Sequence, residues 1–251
     1  MEILQADWDS APTKVRALVS LRYGGFSAAP YDDGEGGGGL NLAAHVGDDS
    51  QCVRQNRHLL RPLLPAEPAW LTQVHGTTVV DAATVATDPP QADASIATRP
   101  GVVCAILSAD CLPVLLCDRA GRVVGAAHAG WRGLAGGVLE RTVAAMRAAG
   151  ADEILAWLGP AIGPQAFEVG EEVRQVFVER DAGVGNAFVP VAHRAGKYHV
   201  DLYRLARERL RQAGIESVSG GGLCTYSDRR RFFSYRRDGV TGRIGSFIWL
   251  D

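Results

Sequence analysis

The sequence predicts one domain of the α+β class, a layered α/β sandwich in which mixed β-sheets are covered by helices. Apolar segments of strand length occur in neighbouring groups, and segments with helical spacing of apolar residues lie between the groups. Packing helices on sheets accommodates both patterns. The 251 residues, 47% of them hydrophobic, can bury a core of this size. Because no linker divides the chain, we expect a single domain over residues 1–251.

The first third of the chain predicts strands around a glycine-rich loop and one helix. Asp49 or Ser50 is expected to cap a helix that ends near Leu60. The loop at residues 26–39 contains the run GEGGGG, and we expect it to be mobile, either as a lid or as a plain flexible insertion. Strands are predicted at residues 15–23, 69–74 and 78–81.

The rest of the chain predicts a central group of strands followed by alternating helices and strands. Turn residues delimit the strands, and Asp201 and Gly214 are expected to begin and end the last helix. The predicted strands are 102–107, 113–117, 122–127, 153–158 and 244–250, and the predicted helices are 134–150, 171–179 and 201–214.

Composition favours small-molecule chemistry inside the cell. The formal charge is only -2, so we expect neither nucleic acid nor an anionic membrane as a partner. No apolar run approaches the roughly 18 residues of a membrane span, and no secretory signal is visible. Five cysteines without a disulfide spacing indicate reduced thiols, and we therefore expect a cytoplasmic protein.

Three side chains at predicted strand ends are candidate metal ligands. His75, Cys111 and His128 each lie at or near a glycine or proline where a strand ends. Two imidazoles and a thiolate suit Zn²⁺ or copper, and three protein ligands leave a position open, as in catalytic sites. The alternative is that they are packed core residues, because their separation matches no local metal signature.

Several other polar residues are candidates for binding an anionic or polar substrate. Arg132 precedes a predicted helix and either faces an anion or forms a surface ion pair. The arginines between residues 229 and 243 indicate an anion-binding wall or a salt-bridged surface, since the net charge argues against nucleic acid. Asn41 and His45 either contact substrate or make loop hydrogen bonds.

Nine short motifs, in order from about Gly24 to Trp249, carry a family resemblance. They are Asn41-Leu42 with His45-Val46-Gly47-Asp48, Gln73-Val74-His75-Gly76, Ala92-Asp93-Ala94, Ser108-Ala109-Asp110-Cys111-Leu112-Pro113, His128-Ala129-Gly130-Trp131-Arg132-Gly133, Gly159-Pro160, Cys224-Thr225, Ser234-Tyr235-Arg236-Arg237 and Thr241-Gly242-Arg243. Together they resemble the laccase-domain family, also called the YfiH family of purine nucleoside phosphorylases.

The resemblance implies a four-layer α/β sandwich, similar to certain cysteine-dependent toxin deamidases, and a metal site at His75, Cys111 and His128. The metal would be Zn²⁺, with Cu²⁺ as the alternative. The implied partners are inorganic phosphate and purine nucleosides: adenosine, inosine and S-methyl-5′-thioadenosine. Adenosine deamination is implied as well. The stretch at residues 32–39 resembles an insertion where the family has a short turn.

Within this hypothesis each candidate residue receives a role. Cys111, Asp110 and Arg132 would act in catalysis, Asp110 either as acid/base or by fixing an imidazole tautomer. Asn41, His45, Gln73, Ser234, Arg236 and Arg243 would bind substrate. The candidates for binding phosphate are Arg132, Arg236 and Arg243. We expect a monomer or a weak homo-oligomer.

Two alternative functions remain open. A copper polyphenol oxidase would need several copper sites and hence many histidines, and the chain has six. A non-enzymatic structural zinc module would need a fourth protein ligand, for which Cys224 is the candidate.

Overall fold

The computed structural model describes residues 2–251, which contain fourteen β-strands and six α-helices. The strands are β1 Ile3–Gln5, β2 Val15–Ser20, β3 Tyr23–Ser27, β4 Val79–Asp81, β5 Ala94–Ala97, β6 Cys104–Ser108, β7 Leu112–Asp118, β8 Val124–Ala129, β9 Ile154–Leu158, β10 Glu168–Gly170, β11 Phe188–Pro190, β12 Lys197–Val200, β13 Val218–Gly220 and β14 Ile244–Leu250. The helices are α1 Ser50–Leu60, α2 Trp131–Gly136, α3 Val138–Ala148, α4 Glu171–Val178, α5 Leu202–Gln212 and α6 Tyr235–Asp238, with 3-10 turns at Arg61–Leu63, Ala82–Thr84 and Ala182–Ala187.

Three sheets organise the described residues. Strands β1-β2-β14-β6 form an antiparallel sheet, and β10-β12-β11 form a small antiparallel one. The largest sheet has the order β13-β9-β7-β8-β5-β4 and is mixed, because its outer pairs β13/β9 and β4/β5 are parallel and the pairs between them are antiparallel.

Alternation along β7 shows how the layers stack. Leu112, Val114 and Leu116 pack with residues of α3 and α5 on one face of the large sheet. Leu115 and Cys117 point the other way and pack against the four-stranded sheet, because successive side chains of a strand face opposite sides. A further apolar cluster covers the outer face of that sheet with the end of α1. The order helix–sheet–sheet–helix confirms the predicted layered fold with mixed sheets.

Several predicted boundaries are confirmed by their caps. Asp49 accepts a hydrogen bond from the backbone N–H of Gln51 and begins α1. Asp201 does the same for α5 through the N–H of Arg204. Among the described helices, none combines the length and the apolar character needed to cross a membrane.

Three predicted elements are wrong in extent. Residues 69–74 are not a strand. They form only two isolated bridges, Ala69 to Cys104 of the four-stranded sheet and Thr72 to Gln91, which precedes β5 of the six-stranded sheet. The predicted helix 134–150 is two helices, because Gly137 adopts a left-handed backbone (φ 97°) that ends α2 before α3 begins. The predicted strand 15–23 divides into β2 and the start of β3.

The glycine-rich loop lies beside a different cavity from that of the candidate ligands. The Asp33 carboxylate accepts hydrogen bonds from the N–H groups of Glu35 and Gly37, and Tyr31 donates to the backbone of Val46. Residues 33–35 line a groove of about 740 Å³ together with residues 222–224 and 227–231. Among the described residues, those of the loop do not line the cavity that contains His75, Cys111 and His128, and its role as a lid or as a flexible insertion stays a prediction.

Candidate metal centre

The register of the large sheet brings the candidate ligands to one edge. Leu112 of β7 pairs with Ala129 of β8, so Cys111, which precedes β7, lies beside the end of β8 that carries His128. Asp93 directly precedes β5, and its carbonyl accepts a hydrogen bond from the N–H of His128. These contacts depend on strand pairing between distant segments.

His75, Cys111 and His128 converge on one point. Their ligand atoms all lie within 4.8 Å of one another, and Sγ of Cys111 is 3.7 Å from Nε2 of His75. The two imidazole rings meet edge to face, with centroids 4.8 Å apart. Within residues 2–251, no fourth His, Cys, Asp or Glu joins this group. The predicted convergence of the three side chains is confirmed, and their donor set fits a divalent metal with one position open.

Gly130 leaves the space that the three side chains occupy. A Cβ at this position would lie 2.7 Å from Sγ of Cys111 and 3.0 Å from Cδ2 of His75. Both distances are shorter than ordinary carbon contacts. The glycine of the His128–Gly133 motif thus permits the thiol and the imidazole to pack against the backbone.

The thiol of Cys111 and the imidazole of His128 shift each other's pKa. Burial alone would raise the pKa of Cys111, but the adjacent His128 and His75 stabilise the thiolate and lower the pKa to about 6. Burial would lower the pKa of His128, but Cys111 and the carboxylate of Asp93 raise it. The centre is therefore set up to hold a thiolate, the form of cysteine that binds metals.

A cavity of about 430 Å³ opens onto the three ligands. Its walls combine apolar and cationic side chains, as is typical of small-molecule sites. It is lined by His45, Gln73, His75, Leu107, Ser108, Ala109, Asp110, Cys111, His128, Trp131, Arg132, Ile162, Phe167, Tyr235, Arg236 and Arg243.

Three arginines of this cavity have no carboxylate partner. Within residues 2–251, Arg132, Arg236 and Arg243 form no ion pair. Arg243 donates to the backbone carbonyls of Thr241 and Gly242, and Arg236 to that of Glu168. Each guanidinium also lies near an aromatic ring. The guanidinium carbon is 4.5 Å from the ring centroid of Trp131 in Arg132, 5.3 Å from that of Phe167 in Arg236, and 6.0 Å from that of Tyr235 in Arg243. Their charges remain available to an anion in the cavity.

Two expected substrate residues do not line the cavity. Asn41 is buried, and its side chain donates to the Asp48 carboxylate and accepts from the N–H of Arg243. Ser234 is also buried and caps α6 by accepting from the N–H of Arg237. Asn41 holds the backbone at Arg243, and Ser234 caps the helix that carries Arg236, so the polar groups of both residues are already used.

Gln73 and His45 line the cavity as expected. The Gln73 amide, however, exchanges two hydrogen bonds of 2.8 Å with the backbone of Leu107, so both of its ends are engaged. Desolvation and the charges of Arg243 and Arg57 lower the pKa of His45. A neutral His45 imidazole is thus presented to the cavity at neutral pH.

Asp110 connects Cys111 to the opposite wall rather than to an imidazole. Its carboxylate accepts hydrogen bonds from the hydroxyl of Thr225 at 2.6 Å and from the N–H of Arg236 at 2.7 Å. Its backbone is left-handed (φ 87°), a strained conformation for a non-glycine residue. Asp93, not Asp110, contacts a ring nitrogen of an imidazole ligand.

Cys224 does not belong to the metal group. Its sulfur accepts hydrogen bonds from the N–H groups of Gly163 and Ser227, on the side of the larger groove. The fourth ligand that a closed structural zinc site would need is therefore not supplied by Cys224.

No role is predicted from the sequence for several residues of the site, among them Asp93, Phe167 and Tyr235. Asp93 is within a quoted motif, but its contact with His128 depends on the pairing of β5 with β8. Phe167 and Tyr235 form apolar walls of the cavity. Tyr235 follows a recognisable serine cap, whereas the sequence around Phe167 gives no comparable signal.

Comparison with known proteins shows the family of the chain. Residues 16–251 match the family model described as multi-copper polyphenol oxidoreductase laccase. A Pseudomonas aeruginosa protein named purine nucleoside phosphorylase is 54% identical over 250 residues, which cover 98% of each chain. The Escherichia coli purine nucleoside phosphorylase YfiH is 52% identical, with 95% of each chain covered.

Solved structures of relatives have the same fold. A crystal structure of a Neisseria meningitidis protein superimposes with a TM-score of 0.92 at 47% identity, covering 100% of both chains. The Bacillus licheniformis protein YfiH superimposes with a TM-score of 0.85 at 30% identity, covering 98% of this chain and 94% of that one. The chain thus belongs to the laccase-domain family, together with these relatives that carry the name purine nucleoside phosphorylase.

Proposed function

We propose that the protein is a zinc-dependent purine nucleoside phosphorylase that acts on adenosine, inosine and S-methyl-5′-thioadenosine, with adenosine deaminase activity. The observation that carries this proposal is an open three-ligand metal group at a cavity lined by three arginines that have no carboxylate partner within residues 2–251. The names of the relatives support the same reaction class.

In the proposed phosphorolysis, a phosphate oxygen forms a bond to C1′ of the ribose while the bond from C1′ to the purine nitrogen breaks. The bonding electrons leave with the purine, which takes up a proton, and ribose 1-phosphate remains. Arg132, Arg236 and Arg243 would hold the phosphate and offset its charge, and the aromatic faces of Phe167 and Tyr235 would pack against the base. The neutral His45 can donate one hydrogen bond to the substrate.

A bound Zn²⁺ would supply Lewis acidity and, for deamination, would lower the pKa of a coordinated water towards roughly 7. The chain's own part is to orient the nucleoside in the cavity and to keep the thiolate of Cys111 available as a ligand. A cytoplasmic location and a monomeric or weakly oligomeric state stay predictions.

The test is a product analysis with zinc-loaded protein. Inosine should be converted to hypoxanthine and ribose 1-phosphate only when phosphate is present, and adenosine should also yield inosine and ammonia without phosphate. A protein with stoichiometric zinc that consumes no purine nucleoside, with or without phosphate, would contradict the proposal. Cys111→Ala is the negative control and Cys224→Ala the matched one.

A copper phenol oxidase is the second candidate, because the family model's description names that activity. Multicopper oxidation needs an electron-transfer copper and a separate oxygen-reducing cluster. The described residues gather one group of three ligands only. Copper in excess of zinc in protein made without added metal, together with phenol oxidation, would favour this candidate.

A further inference from the structure

We propose that Asp93 is the positioning residue of the metal centre: it sets the tautomer of His128 and anchors the loop that carries His75. The inference rests on the proposed metal site and does not depend on the identity of the nucleoside. It concerns a fully buried carboxylate that contacts both histidine ligands, through the ring nitrogen Nδ1 of His128 and the backbone nitrogen of His75.

The carboxylate of Asp93 accepts four hydrogen bonds, all from the two ligand segments. Oδ1 lies 2.8 Å from Nδ1 of His128 and 2.9 Å from the backbone nitrogen of His75. Oδ2 lies 2.7 Å from the nitrogen of Gly76 and 3.2 Å from that of Val74. A carboxylate has about four acceptor sites, so these contacts use its full capacity.

The contact with His128 selects one tautomer. An ionised carboxylate can only accept, so Nδ1 of His128 must carry the hydrogen. The lone pair of the neutral ring then lies on Nε2, the nitrogen that remains for the metal group of His75 and Cys111. A carboxylate behind a histidine ligand is the arrangement that orients such rings and increases their basicity.

The backbone contacts hold a segment that regular structure does not hold. His75 is exposed, its backbone is left-handed (φ 59°), and it lies between the isolated bridge at Thr72 and β4. Three consecutive N–H groups, those of Val74, His75 and Gly76, point at the one carboxylate. Because no strand ladder fixes this turn, its geometry depends on Asp93.

Asp93→Asn tests the inference. The amide keeps the shape but replaces one acceptor oxygen by a donor NH₂ group, which must face either the Val74 and Gly76 N–H groups or those of His75 and His128. We expect zinc affinity to fall by about 10–100-fold, measured by competition with a chromogenic chelator on protein that has been stripped and reloaded.

The matched control is Asp118→Asn. Asp118 is equally buried, lies at the end of β7, and accepts hydrogen bonds from Arg122 and from the N–H of Asp152. It does not contact the metal group. Its replacement should lower the melting temperature without changing zinc affinity.

An Asp93→Asn protein that binds zinc as tightly as the wild type would overturn the inference, even if its melting temperature fell. A second measurement needs no variant: imidazole ¹H–¹⁵N spectra of the zinc-loaded wild-type protein should show the hydrogen of His128 on Nδ1 and none on Nε2. A hydrogen on Nε2 in the zinc-loaded protein would overturn the inference as well. Neither readout uses nucleoside turnover, so a failure of the proposed activity does not imitate either result.

Discussion

Sγ of Cys111 lies 3.7 Å from Nε2 of His75, although the residues are 36 positions apart in the sequence. A tetrahedral zinc ion bound to both atoms would hold them about 3.6 Å apart, given zinc–sulfur and zinc–nitrogen distances of about 2.3 and 2.05 Å. The thiol and the imidazole are thus already at the separation that a shared ion requires. Metal binding should need little rearrangement of these two side chains.

Cys111→Ala should remove the metal. The substitution deletes the only sulfur of the group, and we expect the affinity for zinc to fall by more than about 100-fold. This loss exceeds the one that is typical when only the hydrogen-bond partner of a metal ligand is removed. Cys224→Ala is the matched control, since its sulfur lies in a different groove. Elemental analysis after dialysis distinguishes the two, and stoichiometric metal in Cys111→Ala would show that the ligand assignment is wrong.

Gly130→Ala should weaken metal binding without touching a ligand. The added methyl group would lie 2.7 Å from Sγ of Cys111 and 3.0 Å from the His75 ring, so one of them must move. We expect the affinity for zinc to fall by at least about 10-fold, which is the effect of removing the hydrogen-bond partner of a metal ligand.

Gly185→Ala serves as its control, because nothing lies within 4 Å of a Cβ at that position. Isothermal titration with zinc compares both variants with the wild type. Equal affinities in all three proteins would mean that the space beside Gly130 is not needed for the ligand geometry.

Thiol alkylation should reveal the charge state of Cys111 in metal-free protein. Its pKa is lowered to about 6, so the thiolate predominates above that pH and disappears below it. The buried Cys104 and Cys117 have pKa values raised to about 12 and should stay unmodified at neutral pH. Mass mapping after brief iodoacetamide treatment between pH 5 and 8 measures this difference, and zinc should protect Cys111. A Cys111 rate that begins to rise only above about pH 8 would contradict the lowered pKa.

The sequence predicts the ligands better than it predicts their support. His75, Cys111 and His128 are recognisable because each lies in a short motif, and Asp49 and Asp201 are recognisable because capping is local. The role of Asp93 is not predictable in this way, since it depends on which strand lies beside β8.

Local patterns also cannot tell a substrate contact from a structural one. Asn41 and Ser234 are polar residues in family motifs, yet both are buried. Asn41 makes loop hydrogen bonds, and Ser234 caps a helix. The segment at residues 69–74 has strand-like composition but lacks a continuous partner, so it remains a crossing between sheets. Whether such a segment finds a neighbouring strand to pair with depends on the fold as a whole.

Arg243→Gln should weaken phosphate use more than nucleoside use. Its guanidinium is partly buried, has no carboxylate partner among the described residues, and faces the cavity near Cys111 and Asp110. A hydrogen bond to a charged group contributes about 1.5–3 kcal/mol, so the KM for phosphate should rise by about 10–100-fold in steady-state phosphorolysis assays.

Arg211→Gln is the control for this change, because Arg211 pairs with Glu208 on the surface of α5, away from the cavity. Its KM for phosphate should equal that of the wild type. A rise in the KM for inosine alone, with phosphate unaffected in Arg243→Gln, would assign Arg243 to the nucleoside instead.

X-ray absorption spectroscopy at the zinc edge of the reconstituted protein tests the central claim most directly. The account predicts one ion per chain with one sulfur at about 2.3 Å, two imidazole nitrogens at about 2.0–2.1 Å and one light atom from solvent. A spectrum without sulfur, or one with a second sulfur that closes the coordination, would contradict an open site formed by His75, Cys111 and His128.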